Sequence, residues 1–187
     1  NNEPTFDICN NCSPCKSINK GNFLDVIEVD AASRTGVDGI REIIDAVMYS
    51  PNSARFKVYI IDEVHMLSNA AFNALLKTLE EPPENVKFIF ATTEIKKIPA
   101  TIISRCQRFD LHRVSIKQLT DNLNKILKIE NGKMTEQATL LIAKAAEGSV
   151  RDSLSLLDRA LVSQKVDKKE IDEIFVRKML GIADRSK

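Results

Sequence analysis

The stretch that decides the fold is residues 57–93, which read KVYIIDEVHMLSNAAFNALLKTLEEPPENVKFIFATT. Residues 58–61 form a continuous apolar run of β-formers, which predicts a strand buried on both faces of a parallel sheet. The next segment has helical apolar spacing, with Ser68 as its cap and Pro82 as its stop. Residues 86–91 predict a second buried strand. Two parallel strands joined by a helix make a βαβ unit.

Polar side chains follow both predicted strands where each one ends. Asp62 and Glu63 come directly after the first strand, and Thr93 closes the segment after the second. The carboxyl ends of parallel strands share one sheet edge, where open α/β sheets bind ligands. Asp62 is placed to hold the Mg²⁺ of a nucleotide, Glu63 to polarise an attacking water, and Thr93 to hydrogen-bond that water or a phosphate. The alternative is a chance match, because an acid after an apolar run occurs in many α/β proteins.

Three segments in one order extend this pattern, and together they are specific. They are DEVHMLSNAAFNALLKTLEEPP at 62–83, FATT at 90–93 and SRC at 104–106. They resemble the gamma/tau family of bacterial DNA polymerase III clamp-loader subunits, which are AAA+ ATPases, and the resemblance covers nearly the whole chain. It implies an α/β fold with a partial AAA+ parallel-sheet core, a zinc-binding module and an all-helical lid domain.

The resemblance also implies a function and a set of partners. The expected function is ATP-driven loading of the sliding clamp onto primed DNA in chromosomal replication, within a DNA-directed DNA polymerase assembly. ATP with Mg²⁺ would be its substrate and cofactor. The implied partners are the other clamp-loader subunits, the sliding clamp, primed DNA and the replicative polymerase.

Composition fits a folded protein and bears on its contacts with DNA and membranes. Of the 187 residues, 43% are hydrophobic, and the formal net charge is +1, so any DNA contact must come from local patches. No apolar run approaches the roughly 18 residues of a membrane span, and no signal-peptide pattern opens the chain. We therefore expect a cytoplasmic protein without a membrane contact.

The spacing Cys9-x2-Cys12-x2-Cys15 predicts a metal site. Structural zinc takes four ligands, and this cluster offers three. An iron–sulfur site fits less well, because Asn19 stands where a fourth cysteine would be needed. A disulfide is disfavoured because nothing suggests secretion. The resemblance implies that the fourth zinc ligand lies upstream of Asn1, so we expect a truncated structural site.

Two arginines near the first predicted strand, residues 23–29, are candidate DNA contacts. Arg34 lies in the loop after that strand, and Arg41 lies in the next helix, for which Asp38 is the expected cap. The resemblance implies that this region faces the inside of a ring that holds DNA, where arginine and a helix N-terminus suit phosphate. The alternative is a pair of ordinary solvated arginines.

A further arginine, Arg105, lies in the SRC segment. The resemblance implies that it reaches the ATP site of a neighbouring subunit as an arginine finger, whose planar fork pairs with phosphate oxygens. The alternative is a structural salt bridge. Residues 107–111 then predict a last core strand.

From Ser115 the pattern becomes helical, starting with a capping box of Ser115 and Gln118. The predicted helices span about 115–130, 135–147, 151–163 and 167–180. This resembles an AAA+ lid, and the segment 148–152 resembles its sensor 2, which implies that Arg151 points at the γ-phosphate. The resulting domains are a zinc module at 1–20, an α/β core at 21–113 and a lid at 114–187.

The sequence contains no G-x-x-x-x-G-K-[ST] phosphate-binding loop. The resemblance places that loop, and the strand before it, upstream of the cysteines. We therefore expect these residues to be a fragment that by itself neither binds ATP tightly nor hydrolyses it. A missing strand leaves a sheet edge open. The fragment is expected either to self-associate there or to be only partly ordered.

Two other interpretations stay open. One is a delta-prime clamp-loader subunit, a non-hydrolysing scaffold, which need not keep the Asp62–Glu63 pair. The other is a zinc-dependent DNA-binding module, which three ligands and a near-neutral charge disfavour.

Overall fold

The computed structural model describes residues 7–33, 37–167 and 169–182. The chain divides into two compact units, Asn1–Arg108 and Phe109–Lys187. The domain boundaries expected from the sequence, at 20/21 and 113/114, stay predictions. Among the described residues, no helix combines the length and apolar composition that crossing a membrane requires.

The first unit is built on a three-stranded parallel sheet, as the sequence predicted. Its strands are β1 (Val26–Asp30), β2 (Lys57–Asp62) and β3 (Val86–Phe90), in the order β1-β2-β3. The register aligns Asp30 with Asp62, and Ile61 with Phe90. All three strands therefore deliver their carboxyl ends to one edge.

Burial within the strands corrects one prediction. In β2, Tyr59 and Ile61 are buried, while Val58 and Ile60 on the other face are half-buried. In β3 the alternation is stronger, and Ile89 is 50% exposed. The prediction of a strand buried on both faces is thus wrong for β3 within the described chain. An apolar run reports hydrophobicity but does not report which elements cover each face.

Helices cover the buried face of this sheet and supply most of its core. Helix α3 (Asn69–Glu80) carries Phe72 and Leu75 into that core, and Ser68 Oγ accepts a hydrogen bond from Ala71 N at 3.2 Å, which confirms the predicted cap. Asp38 lies inside the first turn of α2 (Val37–Val47) and not at the cap position. The helices of this unit are α1 (Ser13–Asn19), α2 (Val37–Val47), α3 (Asn69–Glu80) and α4 (Ala100–Ile103), with 3₁₀ turns at Val64–Met66 and Ile95–Lys97.

A buried carboxylate organises the loop that leads into β2. Asp25 is 1% exposed and accepts hydrogen bonds from the backbone N–H groups of Asn52, Ser53 and Ala54 at 2.7–2.8 Å. Burial alone raises the pKa of the Asp25 carboxyl, but these donors outweigh it, and the pKa lies below its usual value. The charge thereby fixes the loop before β2, the strand that ends in the candidate site.

The predicted strand at 107–111 is wrong. Residues 107–115 form neither helix nor strand, and they cross the boundary between the units at Arg108 and Phe109. Phe109 is 74% exposed and Leu111 is 95% exposed. Alternating apolar residues predict a strand only where a neighbouring strand pairs with them, and the described chain places none here.

The second unit is helical, with α5 (Ile116–Ile129), α6 (Glu136–Ala145), α7 (Val150–Asp167) and α8 (Glu173–Leu180). Ser115 and Gln118 form the predicted capping box. Helix α8 begins later than predicted, because Ile171 first pairs with Met134 as an isolated bridge. Asp172 then caps the helix by accepting from Phe175 N at 2.8 Å.

Candidate functional site

The candidate catalytic site lies at the carboxyl edge of the sheet. Asp62 is the last residue of β2; its carbonyl oxygen accepts a hydrogen bond from Ala31 N at 2.9 Å, and its side chain is exposed. On the other side, Val64 N donates to Ala91 O at 3.0 Å. The backbone just past β2 is therefore tied to the segments that follow β1 and β3. The Asp62 carboxylate is held at this edge and faces solvent.

Glu63 has an unusual backbone. It adopts the left-handed conformation, with φ 47° and ψ 43°, directly before the 3₁₀ turn Val64–Met66. Its N–H donates to Asp62 Oδ1 at 2.9 Å. A non-glycine residue in this region costs about 1 kcal/mol, and such conformations cluster at functional sites. The left-handed residue ends β2 at Asp62 and leads the chain into the 3₁₀ turn.

The Glu63 carboxylate contacts side chains that follow β3 and one in its own turn. Thr93 Oγ1 donates a hydrogen bond to Glu63 Oε2 at 3.1 Å. His65 Nδ1 lies 3.2 Å from the same oxygen and 2.9 Å from Thr92 Oγ1. The sequence predicted that Glu63 and Thr93 would share an edge, and the structure brings them into direct contact.

A second carboxylate completes the surroundings of His65. Glu94 Oε1 lies 3.6 Å from His65 Nε2 and accepts a hydrogen bond from Lys97 Nζ at 2.8 Å. The Lys97 hydrogen bond holds the pKa of the Glu94 carboxyl below its usual value. Glu94 is thus ionised near neutral pH and lies on the opposite side of the imidazole from Glu63.

This arrangement suits Mg²⁺ and an activated water. Mg²⁺ takes oxygen ligands, usually one or two carboxylates together with substrate phosphates and waters. Asp62 offers such a ligand, because its carboxylate is exposed. The Glu63 side chain is 38% exposed, so a water can reach its carboxylate. The donor set therefore fits a magnesium-nucleotide site at this edge.

Arg105 lies just after α4 and is engaged within its own unit. Its guanidinium forms an ion pair with Glu80 at the end of α3 and donates to Thr101 O at 2.7 Å. The side chain remains 32% exposed. The salt-bridge alternative weighed from the sequence is therefore present in the structure. Its existence does not conflict with a finger role, because an exposed ion pair is weak enough to be exchanged for a phosphate.

The three cysteines form a cluster suited to zinc. Their sulfur atoms all lie within 4.8 Å of one another, and Cys9 Sγ and Cys15 Sγ are 3.8 Å apart. Two thiolates on one tetrahedral zinc, each bonded at about 2.3 Å, are separated by about 3.8 Å. Backbone N–H groups of Cys12 and Asn11 lower the pKa of the Cys9 thiol to about 6, which favours a thiolate there, whereas the side chain of Cys12 raises the pKa of the Cys15 thiol. All four cysteines are free, so the disulfide alternative is not supported.

The remaining predicted residues are placed as follows. Arg34 lies outside the described residues. Arg41 is 67% exposed on α2 and pairs with Asp38 at 3.4 Å. Arg151 is exposed in the first turn of α7, in the second unit. Their roles toward DNA and nucleotide stay predictions.

The structure gives contacts at the site to two residues for which the sequence suggested no role there, namely His65 and Thr92. His65 is brought beside Glu63 by the left-handed turn, which no propensity argument predicts for a glutamate. Its nearness in sequence to the Asp62–Glu63 pair was the available signal. Thr92 had the same kind of signal, since it directly precedes Thr93.

Comparison with known protein families gives two matches. Residues 1–115 match the family described as DNA polymerase III, delta subunit. Residues 118–165 match the DNA polymerase III clamp loader subunit, ATPase lid domain. The two matches correspond to the α/β unit and to most of the helical unit.

Curated relatives agree with these matches. The chain is 52% identical over 180 residues to the DNA polymerase III subunit tau/gamma of Haemophilus influenzae, covering 96% of this chain and 26% of that protein. It is 56% identical to the subunit tau of Bacillus subtilis, covering 84% of this chain and 28% of that protein. It is 50% identical to the subunit gamma of Buchnera aphidicola from Schizaphis graminum, covering 95% of this chain and 48% of that protein. The chain thus spans from about a quarter to about a half of these relatives.

Solved structures support the fold. The Thermotoga maritima RuvB Holliday junction branch migration motor matches with a TM-score of 0.69 at 19% identity, covering 84% of this chain and 52% of that one. A DNA polymerase III gamma subunit-related protein of Thermotoga maritima matches with a TM-score of 0.53 at 28% identity, covering 72% of this chain and 42% of that one. The parallel sheet followed by helices has the AAA+ fold, and the chain belongs to the family of DNA polymerase III clamp-loader subunits of the gamma/tau kind.

Proposed function

We propose that the protein acts, as a full-length subunit, in ATP-driven loading of a sliding clamp onto primed DNA. The observation that carries this proposal is the contact between Glu63 and Thr93 at the carboxyl edge of the sheet, beside the exposed Asp62. A carboxylate for Mg²⁺, a carboxylate for water and a hydroxyl for the phosphate region meet there. The names of the relatives, subunits of DNA polymerase III, support assigning this proposal to DNA replication.

Each residue has a distinct role in this proposal. Asp62 holds the Mg²⁺ of the nucleotide, which neutralises charge on the phosphates when it is bound. Glu63 accepts a proton from the water that attacks the γ-phosphorus, while the bond to the ADP leaving oxygen breaks. Thr93 orients Glu63 and the same water through its hydroxyl. The left-handed turn at Glu63 places the base past the end of the strand.

The other predicted residues act from outside this edge. Arg105 enters the ATP site of a neighbouring subunit and stabilises charge on the transferring phosphoryl group. Arg151 contacts the γ-phosphate and links nucleotide state to lid angle. Arg34 and Arg41 contact the phosphates of primed DNA. The other loader subunits, the clamp and the replicative polymerase are the proposed partners. Chromosomal replication takes place in the bacterial cytoplasm, the compartment that we propose.

The 187 residues on their own are proposed to bind ATP weakly and to leave it unhydrolysed. Affinity for the phosphates comes mainly from successive backbone N–H groups and the lysine of a phosphate-binding loop, a motif that the printed sequence does not contain. Titration calorimetry with ATP and Mg²⁺ measures the affinity, and sedimentation measures whether the chain self-associates. Micromolar binding by a monomer would contradict this part of the proposal.

Clamp loading tests the function itself. The complete subunit, assembled with its partner subunits, is assayed for ATP-dependent placement of the clamp on primed DNA. Asp62→Asn should abolish loading, because it removes the charged metal ligand while keeping side-chain size. Asp121→Asn, an exposed substitution on α5, is the matched control and should load normally. Normal loading by Asp62→Asn would overturn the proposed function.

A further inference from the structure

His65 is enclosed by polar groups at the candidate site, and the proposed mechanism gives His65 itself no role. Its side chain is 7% exposed, although it lies on the 3₁₀ turn at the edge of the sheet. Nδ1 lies 2.9 Å from Thr92 Oγ1 and 3.2 Å from Glu63 Oε2, and Nε2 faces Glu94 Oε1 at 3.6 Å. A nearly buried imidazole held between two carboxylates is a specific arrangement.

The contact with Glu63 favours a proton on Nδ1 of His65. An ionised carboxylate only accepts hydrogen bonds, so a bare lone pair on Nδ1 would face the negative charge of Glu63 Oε2. A proton on Nδ1 is attracted both to that oxygen and to the Thr92 hydroxyl oxygen. Glu63 therefore favours a proton on Nδ1, in either the neutral form or the form in which Nε2, facing Glu94, is also protonated.

The same contacts restrain the Glu63 carboxylate. His65 and Thr93 both meet Oε2, from the turn after β2 and from the segment after β3. The turn itself is closed by hydrogen bonds from Met66 N to Glu63 O at 2.8 Å and from Val64 N to Ala91 O at 3.0 Å. With Oε2 held from two sides, the orientation of the carboxylate is restricted, while the Glu63 side chain stays 38% exposed.

We propose that His65 is a positioning residue for Glu63, and this inference rests on the role of Glu63 in the proposed ATP hydrolysis. His65 does not touch the nucleotide in this account. It fixes the carboxylate that must meet the attacking water, and misplacing such a group by about 1 Å can cost a hundredfold in rate. Thr92 and Glu94 in turn fix the ring.

Substitutions at position 65 in the complete subunit, assayed within the assembled complex, test the role. His65→Ala should lower the kcat for ATP hydrolysis at least about tenfold, with the KM and the Kd for ATP unchanged. His65→Asn should recover most of the rate, because its Nδ2 is attached to Cγ as Nδ1 is in histidine. His65→Gln carries its amide one bond further out, where Nε2 lies, and should recover less. This comparison of Asn with Gln remains informative if the alanine variant folds poorly.

A double-mutant comparison separates this inference from the proposed function. If Glu63→Gln alone hydrolyses ATP normally, the proposed role of Glu63 fails, and the inference fails with it. If Glu63→Gln is defective, His65→Ala should add little to the defect, because the group that it positions is already gone. A defective Glu63→Gln together with a normal His65→Ala overturns the positioning role alone.

A spectroscopic measurement gives a second readout that does not depend on turnover. In the complete subunit labelled with ¹⁵N-histidine, the resonance that disappears in His65→Asn belongs to His65. Its Nδ1 should show the shift of a protonated nitrogen, and Glu63→Gln should change that shift. An unprotonated Nδ1, or a shift insensitive to Glu63→Gln, would overturn the inference.

Discussion

Thr93 Oγ1 donates a hydrogen bond to Glu63 Oε2 at 3.1 Å, which joins two side chains that are separated by 30 positions in the chain. The contact exists because β2 and β3 are parallel neighbours, with Ile61 aligned to Phe90. Each side chain lies just past the end of its strand. The relation ties the candidate base to the next strand, and it depends on the whole βαβ unit between them.

Arg105 should affect ATP hydrolysis only in an assembly. Arg105→Ala is expected to lower the ATPase rate of the assembled loader by about a hundredfold or more, since a finger stabilises transition-state charge. Nucleotide binding by one isolated full-length subunit should be nearly unchanged. Glu80→Gln, which removes the ion-pair partner of Arg105, is the control and should keep the ATPase of the assembly. A collapse of nucleotide binding after Arg105→Ala in the isolated subunit would show that Arg105 acts within its own site.

The cysteine cluster should bind zinc weakly when the 187 residues are studied alone. Cys9, Cys12 and Cys15 supply three sulfur ligands, and a structural zinc site takes four. Elemental analysis after dialysis against a chelator should show loss of zinc from the 187-residue chain and retention by the complete subunit. Cys106→Ser is the control, because Cys106 does not belong to the cluster. One zinc retained per chain, with four ligands from these residues, would contradict the truncated-site interpretation.

Asp25 should stabilise its unit in a pH-dependent way. The pKa of its carboxyl is lower in the folded state, so its contribution is complete above the unfolded value of about 3.9 and is lost as pH falls through the folded value. Asp25→Asn should lower the free energy of unfolding at pH 7 by about 2 kcal/mol, because three backbone donors lose a charged acceptor. Denaturant titrations should show that this difference shrinks at pH 3. Asp45→Asn, an exposed substitution on α2, is the control and should change the free energy of unfolding little at either pH. A loss of stability in Asp25→Asn that does not depend on pH would contradict the role of the Asp25 charge.

Gly148 should be required at the junction before α7. Its φ is +86°, and an added Cβ would lie 2.6 Å from Arg113 Cβ and 3.1 Å from Val114 O. Val114 N also donates to Gly148 O at 3.1 Å. Gly148→Ala should therefore destabilise the helical unit by about 3 kcal/mol, from backbone strain and overpacking together. Gly181→Ala is the matched control, because Gly181 has φ +69° and open space, and it should cost only about 1 kcal/mol. Equal losses of stability for the two variants in thermal melts would contradict the proposed steric clash at Gly148.

Sequence reasoning predicted the frame of the site because strong local signals set it. An apolar run predicted β2, and the end of that run predicted that Asp62 and Glu63 lie at the carboxyl edge of the sheet. Ser68 predicted the start of α3. Parallel pairing then required Thr93 to lie nearby. These features follow from propensity, capping and register, which a short window of sequence contains.

The remaining features depend on tertiary contacts that no local window contains. The left-handed turn at Glu63 is flanked by hydrogen bonds that join Asp62 and Val64 to the segments that follow β1 and β3, and it is this turn that brings His65 beside the carboxylate. The false strand at 107–111 has a plausible local pattern but no partner in the described chain. The late start of α8 follows from the pairing of Ile171 with Met134, across a long sequence separation.

The most direct test of the account is Glu63→Gln in the complete subunit, assembled with its partners and supplied with the clamp and primed DNA. The substitution removes the carboxylate and keeps the size of the side chain. We predict that ATP binding persists, measured with a fluorescent nucleotide, while the single-turnover rate of hydrolysis falls at least about a hundredfold. Hydrolysis at the wild-type rate with ATP bound would contradict the account.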